Sequence, residues 1–343
     1  MQALYFEQHG QVENLLVGDR PEPEPGPGEV RIRLETAALN HLDLFVLGGM
    51  PGIPIGLPHI GGADGAGVVD ALGPNVEDVE TGAEVVFDPG LSCGRCQYCR
   101  AGEQSLCVKF GVLGEHSDGT FAESVVVSAD SLAPRPGHLS WEESAAFGLT
   151  YLTAWRMLMT RGALRTGETM LIHGIGGGVS LACLQLGKLS GCRVIATSRS
   201  PEKLKRASEL GADEVLPADD QVARAVRGLT GKRGADVVVD SVGEATWMQS
   251  LKAAAKGGRI VTCGATSGPN PKEEIRLIFW NQLSIIGSTM GSREDWRRLM
   301  VAVTTHHLRP VVDQVLPLAD GRSAYKRLED AEQFGKIVLS IDG

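Results

Sequence analysis

The stretch Thr169-Met-Leu-Ile-His-Gly-Ile-Gly-Gly-Gly-Val-Ser180 decides the fold, because a short apolar run leads into a glycine loop and then into an apolar helical pattern. A second apolar run, Arg193-Val-Ile-Ala-Thr-Ser198, follows the helical segment. Strand, glycine loop, helix and strand in this order predict a βαβ unit with the loop at the helix N-terminus.

The glycine loop is suited to a dinucleotide pyrophosphate. Glycine lacks the Cβ that would keep the backbone away from a phosphate, and the free N–H groups and dipole of a helix N-terminus favour an anion. A glycine loop alone can also be an ordinary strand-to-helix turn, but here a strand lies on each side of the unit. We therefore predict a dinucleotide site that includes Gly177 and Gly178.

The end of the second strand indicates which dinucleotide binds. An NAD site carries a carboxylate roughly twenty residues after the glycines, where it accepts hydrogen bonds from the ribose 2′-hydroxyl. That position is Ser198 here, and it is followed by Arg199 and Lys203. A carboxylate would repel a 2′-phosphate, whereas a hydroxyl and two cations would hold one. We expect NADP(H) rather than NAD(H); the alternative is that the two cations form only a solvated helix start.

Length and charge exclude several classes of function. The chain has 343 residues, enough for about two domains with substantial cores. Its net charge of −9 and isoelectric point near 5.5 argue against a nucleic-acid partner, which requires a basic face. The N-terminus does not resemble a signal peptide, and no apolar run is long enough for a membrane span. We expect a cytoplasmic protein with a small-molecule substrate and no membrane partner.

Four of the seven cysteines form a metal-ligand pattern. They follow the spacing C-x2-C-x2-C-x7-C, in a lobe at about residues 91–110. Four thiolates can close a tetrahedron around one zinc ion and leave no position for substrate, so the predicted zinc is structural. An iron–sulfur site and reduced surface thiols are the alternatives. The predicted ligands are Cys93, Cys96, Cys99 and Cys107.

The chain divides into a β-rich part and an α/β part. Residues 30–35 alternate like a half-buried strand, and residues 65–73 form a second strand pattern with glycine breaks. Later apolar runs at 237–243, 258–264 and 284–289 are closed by polar or glycine residues, which is typical of buried parallel strands. We expect the coenzyme domain at about 151–291 and a tail that returns to the first domain.

The order of five motifs resembles the medium-chain dehydrogenase/reductase family. These are Leu39-Asn-His-Leu-Asp43, Gly62-Ala-Asp-Gly-Ala-Gly67, the cysteine lobe, Asp118-Gly-Thr-Phe-Ala-Glu123 and Gly287-Ser-Thr-Met-Gly291. The resemblance implies an α/β protein with a GroES-like β-rich catalytic domain, residues 1–150 and 292–343, and a doubly wound Rossmann coenzyme domain, residues 151–291. It also implies a homodimer or homotetramer.

The chain departs from the family's zinc alcohol dehydrogenases at the catalytic zinc. Those enzymes bind this second zinc through a Cys, a His-Glu pair, and a further Cys or Glu. The matching positions hold Asn40, Ala63 with Asp64, and Leu149. The proton-relay positions hold Leu42 and Phe45. Without a metal or a relay, alcohol oxidation loses both the stabilisation of an alkoxide and the route for its proton.

The zinc-free branch of the family, quinone oxidoreductases and enoyl reductases, carries Asn at the first position and a similar glycine loop. The resemblance therefore implies NADPH-dependent reduction of quinones or α,β-unsaturated carbonyls, in a protein that keeps one structural zinc. The first alternative is an alcohol dehydrogenase with an atypical metal site made of His41, Asp64 and His116. The second is a non-catalytic NADPH-binding protein.

The resemblance also assigns roles to individual residues. Side chains behind the nicotinamide match Thr153 and Val179, and the backbone that holds its carboxamide matches Cys263, Ser288 and Met290. The pyrophosphate contacts match His41 and Lys336. The expected catalytic set is Asn40 and Asp64, with His116 or Tyr151 as candidate proton donors.

Overall fold

The structure is a computed structural model that describes residues 1–50 and 52–341. The chain forms two compact units, Met1–Leu149 with Gly291–Gly343, and Thr150–Met290. The expected end of the first domain at Gly343 lies outside the described residues. No helix in the described ranges combines the length and apolar character that crossing a bilayer requires.

The strands are β1 Gln2–Phe6, β2 Leu15–Asp19, β3 Glu29–Ala38, β4 His59–Ile60, β5 Asp64–Leu72, β6 Glu84–Phe87, β7 Gly90–Leu91, β8 Gly111–Val112, β9 Ser124–Ser128, β10 Leu132–Pro134, β11 Thr169–Ile172, β12 Arg193–Ser198, β13 Glu214–Pro217, β14 Ala235–Asp240, β15 Ala254–Thr262, β16 Ser284–Gly287, β17 Val312–Pro317 and β18 Lys336–Ser340.

The helices are α1 His41–Gly48, α2 Gln97–Arg100, α3 Trp141–Ala145, α4 Gly148–Trp155, α5 Gly178–Leu189, α6 Pro201–Glu209, α7 Val222–Leu229, α8 Trp247–Ala253, α9 Ile275–Asn281, α10 Arg293–Thr305 and α11 Gly321–Glu329. A π-helical turn, Arg156–Arg161, continues α4, and short 3₁₀ turns lie at Val12–Asn14, Gln104–Leu106, Ala129–Ser131 and Leu318–Asp320.

The first unit is built on a seven-stranded sheet in the order β10-β6-β5-β3-β18-β17, with β9 also paired to β3. Strand β3 forms because its side chains alternate: Val30, Ile32 and Leu34 are fully buried, whereas the arginines between them are not. The buried residues pack against the aromatic rings of Phe87 and Phe121 in one apolar core. This sheet is the frame of the first unit.

Three adjacent strands of this sheet place polar residues at one edge. Strand β3 pairs antiparallel with β5, with Ala38 opposite Asp64, and antiparallel with β18, with Val338 opposite Ala38. The end of β3 therefore lies beside the starts of β5 and β18. Consequently Asn40, just after β3, is close to Asp64 and Lys336, the first residues of the neighbouring strands.

The second unit is a six-stranded parallel sheet in the order β13-β12-β11-β14-β15-β16. Its central strands are apolar on both faces, as expected when helices cover a parallel sheet; Val237 and Val238 in β14 are fully buried. The strand order reverses between β11 and β14, which is the switch point where such sheets bind ligands. The glycine loop follows β11 at this point.

Helix α4 does not continue as a regular α-helix. It ends at Trp155 and a π-helical turn follows. The N–H of Gly162 donates to the carbonyl of Met157, five residues earlier, at 2.8 Å. Apolar periodicity does not distinguish this bonding from an α-helix, because it reports only which face is buried.

Candidate functional site

The first unit contains a buried polar cluster formed by Asn40, Asp64 and Lys336, whose relative exposures are 5%, 1% and 4%. Lys336 Nζ donates to Asn40 Oδ1 at 2.6 Å and to Asp64 Oδ2 at 3.0 Å. Asn40 Nδ2 donates to the same Asp64 oxygen at 2.9 Å. The cluster therefore pairs one carboxylate with one ammonium and connects both through a carboxamide.

The second oxygen of Asp64 is also engaged. Asp64 Oδ1 accepts the backbone N–H of Leu149 at 2.6 Å. A Cβ on Gly148 would lie 2.6 Å from this oxygen, so the close approach of the chain requires glycine. A buried carboxylate is tolerated only when charge and hydrogen bonds compensate its lost hydration, and Asp64 has both.

Asp43 forms hydrogen bonds to the backbone next to the cluster. Its Oδ2 accepts the backbone N–H of Asn40 at 2.6 Å, and its Oδ1 accepts that of Gly62 at 3.1 Å. Burial raises the pKa of Asp43 to about 7, against the opposing effect of these bonds and of the Lys336 charge. The sequence interpretation missed Asp43, although its place three residues after the N-cap Asn40 is a capping-box signal.

These residues do not fit a catalytic zinc. The positions that the resemblance matches to the ligands of that zinc hold Asn40, Ala63, Asp64 and Leu149, which provide neither thiolate nor imidazole. The atypical set of His41, Asp64 and His116 is not gathered either. Within residues 1–50 and 52–341, only the four lobe cysteines bring three or more His, Cys, Asp or Glu ligand atoms together as a metal site requires.

The position of Lys336 differs from the sequence expectation. The resemblance assigned it to the pyrophosphate, but its ammonium is buried and bonded to Asn40 and Asp64 inside the first unit. Its charge therefore balances that of Asp64, and a contact with the pyrophosphate stays a prediction. His41, the other residue assigned to the pyrophosphate, is exposed at the start of α1. Its ring lies edge-on to that of Phe45, with the ring centroids 4.9 Å apart.

One ring nitrogen of His116 is bonded to the backbone. Its Nδ1 accepts the backbone N–H of Val112 at 3.2 Å, which places the hydrogen of the neutral ring on Nε2. The carboxylate of Glu115 lies 3.5 Å from the same Nδ1, and burial raises the pKa of Glu115. The bond from Val112 occupies Nδ1, so Nε2 is the ring nitrogen available to a substrate.

Tyr151 does not fit the role of proton donor. Tyr151 lies in the second unit and is 2% exposed. Its hydroxyl donates to Gln185 Oε1 at 2.6 Å. Burial raises the pKa of Tyr151 well above its ordinary value. The sequence shows a tyrosine near the expected nicotinamide position but does not show that its hydroxyl donates a hydrogen bond to Gln185.

The glycine loop of the second unit forms an anion cradle. Gly174 and Gly176 have φ angles of 68° and 122°, which favour glycine. Ser180 Oγ lies 2.9 Å from the carbonyl oxygens of both Gly174 and Gly177 and so fixes the turn. Gly177 is the N-cap of α5 and has no side chain to cap it, so the first N–H groups of this helix are available to a phosphate. The loop therefore fits a dinucleotide.

The end of β12 lacks a carboxylate, as the sequence predicted. Ser198 is buried, and its hydroxyl oxygen accepts the N–H of Ser200 at 3.1 Å. Arg199 is exposed, with no ion pair or hydrogen bond to another described residue. Lys203 lies in the first turn of α6, where its N–H donates to Ser200 Oγ at 3.3 Å.

The remaining cofactor candidates lie near β15 and β16 of the second unit. Thr153 Oγ1 is 3.6 Å from Met290 Sδ, and Met290 itself adopts a positive φ of 46°. The hydroxyl groups of Ser288 and Thr150 are buried without a partner among the described residues. Unpaired buried hydroxyls are unfavourable, and a polar group of a ligand would satisfy both. Nothing in the sequence around Thr150 marks it as a site residue. Burial raises the pKa of Cys263 to about 12, which makes it a poor nucleophile.

The cysteine lobe brings four sulfur atoms together. Their ligand atoms all lie within 4.8 Å of one another, and Cys96 Sγ is 3.5 Å from Cys99 Sγ. A tetrahedral site with Zn–S bonds of about 2.3 Å has neighbouring sulfurs roughly 3.8 Å apart, so the set fits zinc. Backbone N–H groups of Cys93 and Lys109 donate to Cys107 Sγ at 3.3 Å, and those of Cys99 and Val108 lower the pKa of Cys96 to about 6.

Two family models match the chain. The model described as alcohol dehydrogenase GroES-like domain matches residues 26–137, and that described as zinc-binding dehydrogenase matches residues 178–305. The chain is 32% identical over 320 residues to an alcohol dehydrogenase of Geobacillus stearothermophilus, covering 91% of this chain and 92% of the relative.

Two further similarities bear on the site. The chain is 30% identical over 324 residues to an acryloyl-coenzyme A reductase of Sulfurisphaera tokodaii, covering 93% of this chain and 94% of the relative. A solved structure of an NAD-dependent alcohol dehydrogenase superimposes with a TM-score of 0.95 at 48% identity, covering 99% of this chain and all of that chain. The similar proteins thus carry the names of both a dehydrogenase and a reductase.

Proposed function

Because the chain belongs to the zinc-containing medium-chain dehydrogenase/reductase family, and is an oxidoreductase of that type, we propose that it reduces quinones or α,β-unsaturated carbonyl compounds with NADPH and without a catalytic zinc. The observation that carries this proposal is the buried polar cluster. Asn40 and Asp64 bond to the ammonium of Lys336, and no thiolate or imidazole stands at the positions of the catalytic ligands.

The chemistry of an activated alkene suits such a site. An alkoxide needs a cation or base before it can release hydride, and a metal provides several kcal/mol of that stabilisation. An activated alkene needs an oriented hydride donor and a hydrogen bond to the oxygen on which charge develops. NADPH, when bound, supplies the hydride from C4 of its nicotinamide.

The residues of the first unit provide the hydrogen bond. Asn40 keeps a carboxamide N–H that can donate to the substrate oxygen, and this bond strengthens as hydride addition turns the carbonyl into an enolate. Water then protonates the enolate carbon, because the hydroxyl of Tyr151 donates to Gln185 and Nδ1 of His116 accepts from Val112. His116 Nε2–H remains a second donor for a substrate oxygen.

The second unit provides the preference for NADPH. We expect NADPH to bind at least about tenfold tighter than NADH, a difference of about 1.4 kcal/mol, because Ser198 replaces the carboxylate and Arg199 offers a phosphate fork. Arg199→Ala should weaken the binding of NADPH and leave the affinity for NADH unchanged, as measured by fluorescence titration. Lys205→Ala, a change of the same charge at a side chain that is 78% exposed, is the control and should leave both affinities unchanged. Equal wild-type affinities for the two cofactors would refute the preference.

The four cysteines of the lobe are the proposed ligands of the zinc. We propose one structural zinc per subunit at Cys93, Cys96, Cys99 and Cys107, because their sulfurs form a complete ligand set and leave no position open to substrate. In this proposal zinc holds the lobe together and takes no part in the chemical step.

A substrate panel tests the proposed reaction. We expect NADPH oxidation with small quinones and enones, and rates near background with primary or secondary alcohols and NADP⁺. Asn40→Ala should lower the enone rate by about 10²–10³-fold, the effect of removing one oxyanion donor. Turnover of alcohols but not of enones would sink the proposal.

Alcohol dehydrogenation is the second candidate, favoured by the 48% identity to a protein named as an NAD-dependent alcohol dehydrogenase. The same panel decides between the two. Alcohol turnover that rises with added zinc and is lost in His41→Ala would establish this candidate, because the substitution removes one ligand of the atypical metal set.

A further inference from the structure

The buried polar cluster has only one possible arrangement of its carboxamide. A lysine ammonium only donates hydrogen bonds, and a carboxylate only accepts them. The atom of Asn40 that faces Lys336 at 2.6 Å must therefore be Oδ1, and the atom that faces Asp64 at 2.9 Å must be Nδ2. Lys336 and Asp64 together fix the orientation of this side chain.

We propose that Lys336 is a positioning residue that strengthens Asn40 as the donor to the substrate oxygen. A cation bonded to the oxygen of an amide draws electron density from its nitrogen, so the N–H groups become more positive and donate more strongly. Hydrogen bonds in a connected chain polarise one another in this way, and a low-dielectric interior increases the effect. Asp64 accepts from one of these N–H groups and opposes part of the effect, so the contribution of Lys336 is the polarisation that enters through Asn40 Oδ1.

Asn40 retains a hydrogen for this purpose. One Nδ2 hydrogen is directed at Asp64, whereas the nearest other acceptor, the carbonyl of Ala38, is 3.5 Å away and bonds weakly. In the proposed site a ligand oxygen meets the carboxamide nitrogen, because Asn40 Oδ1 is already bonded to Lys336.

This role differs from binding the pyrophosphate, and the two roles predict different measurements. A residue that holds the pyrophosphate changes the affinity for NADPH when it is removed. A residue that acts through Asn40 changes kcat and leaves that affinity unchanged, because its effect appears as charge develops on the substrate.

A double-mutant cycle tests whether Lys336 acts through Asn40. Lys336→Met alone would leave the Asp64 carboxylate buried and unpaired, so it is combined with Asp64→Asn, which removes that charge. The cycle compares wild type, Asn40→Ala, Asp64→Asn/Lys336→Met and the triple variant. We expect kcat to fall at least tenfold in the double variant, with the Kd for NADPH within about threefold of wild type. The triple variant should be no slower than Asn40→Ala. Additive losses, or a tenfold weaker NADPH affinity in the double variant, would overturn the proposal.

Two further measurements keep the proposal testable if the double variant folds poorly or turnover is low. Lys336→Arg keeps the charge and the donors, so its kcat should stay within about fivefold of wild type; a folded Lys336→Arg protein as slow as Asn40→Ala would contradict the proposal. In ¹⁵N-labelled protein, the Asn40 side-chain N–H that is not bonded to residue 64 should move upfield when Lys336→Met is added to Asp64→Asn, and an unchanged position would also contradict the proposal.

The inference rests on the proposed function for the identity of the reaction only. The cycle is run with the fastest quinone, enone or simple carbonyl substrate, because negative charge develops on the substrate oxygen whether hydride adds to a C=C or to a C=O bond. Absence of enone turnover would then sink the proposed function, whereas an additive cycle would sink the role of Lys336.

Discussion

Replacing Asp64 with alanine is expected to lower the free energy of unfolding by about 3–5 kcal/mol, the usual cost of removing one partner of a buried ion pair. The change leaves the ammonium of Lys336 buried without a counter-charge and leaves the N–H of Leu149 without an acceptor. In a unit of this size each kcal/mol shifts the melting temperature by roughly 2–4 °C, so the loss should be obvious in a thermal melt.

The same substitution at Asp70 is the matched control. Asp70 lies on the same strand, β5, but its side chain is 29% exposed and its partner Arg31 also contacts Glu22 and Glu24. Asp70→Ala should cost no more than about 1 kcal/mol, as expected of a surface ion pair. Equal losses of unfolding free energy at the two positions would contradict the prediction that Asp64 belongs to a buried ion pair. Adding Lys336→Met to Asp64→Ala should recover part of the loss.

Replacing Cys99 with serine is expected to reduce the bound zinc from about one ion per subunit to nearly none. Cys99 is buried within the ligand set, and a structural site that loses one thiolate no longer encloses the metal. Structural zinc ions contribute apparent binding free energies of about 10–16 kcal/mol in small domains, so residues of the lobe should lose their fixed conformation. Metal analysis and limited proteolysis at residues 91–110 provide the two readouts.

A second buried cysteine serves as the control for this change. Cys192 is 3% exposed, and its Sγ contacts the carbonyl of Arg165 at 3.4 Å, a bond that a serine hydroxyl can also make. Cys192→Ser should keep one zinc and an intact lobe. A Cys99→Ser protein that keeps its zinc would contradict the assignment of the ligand set.

The fold could be predicted because its signals are local. The glycine loop and the two apolar runs around it lie within one short stretch, and they identify the Rossmann-type unit that the structure and the family models show. The cysteine spacing is equally local, and the structure places all four sulfurs within 4.8 Å. The start of helix α10, Arg293–Thr305, has a local signal of the same kind, because Ser292 and Asp295 form a capping box there.

The partners of the site residues could not be predicted, because they are remote in sequence. Lys336 bonds to Asp64 across 272 positions and to Asn40 across 296 positions. The sequence shows that each residue can bond or carry charge, but only the register of β3, β5 and β18 shows that they meet. For the same reason the sequence indicates Tyr151 as a candidate acid but does not show that its hydroxyl donates a hydrogen bond to Gln185.

The most direct test of a reductase without a catalytic metal is to count zinc and measure activity on the same samples. Protein prepared with and without added zinc is analysed for zinc per subunit and assayed for NADPH oxidation with the best enone of the panel. The expected result is about one zinc per subunit in both preparations, with the same rate per subunit. Two zinc ions per subunit, with a rate that rises in proportion to the second, would contradict the account.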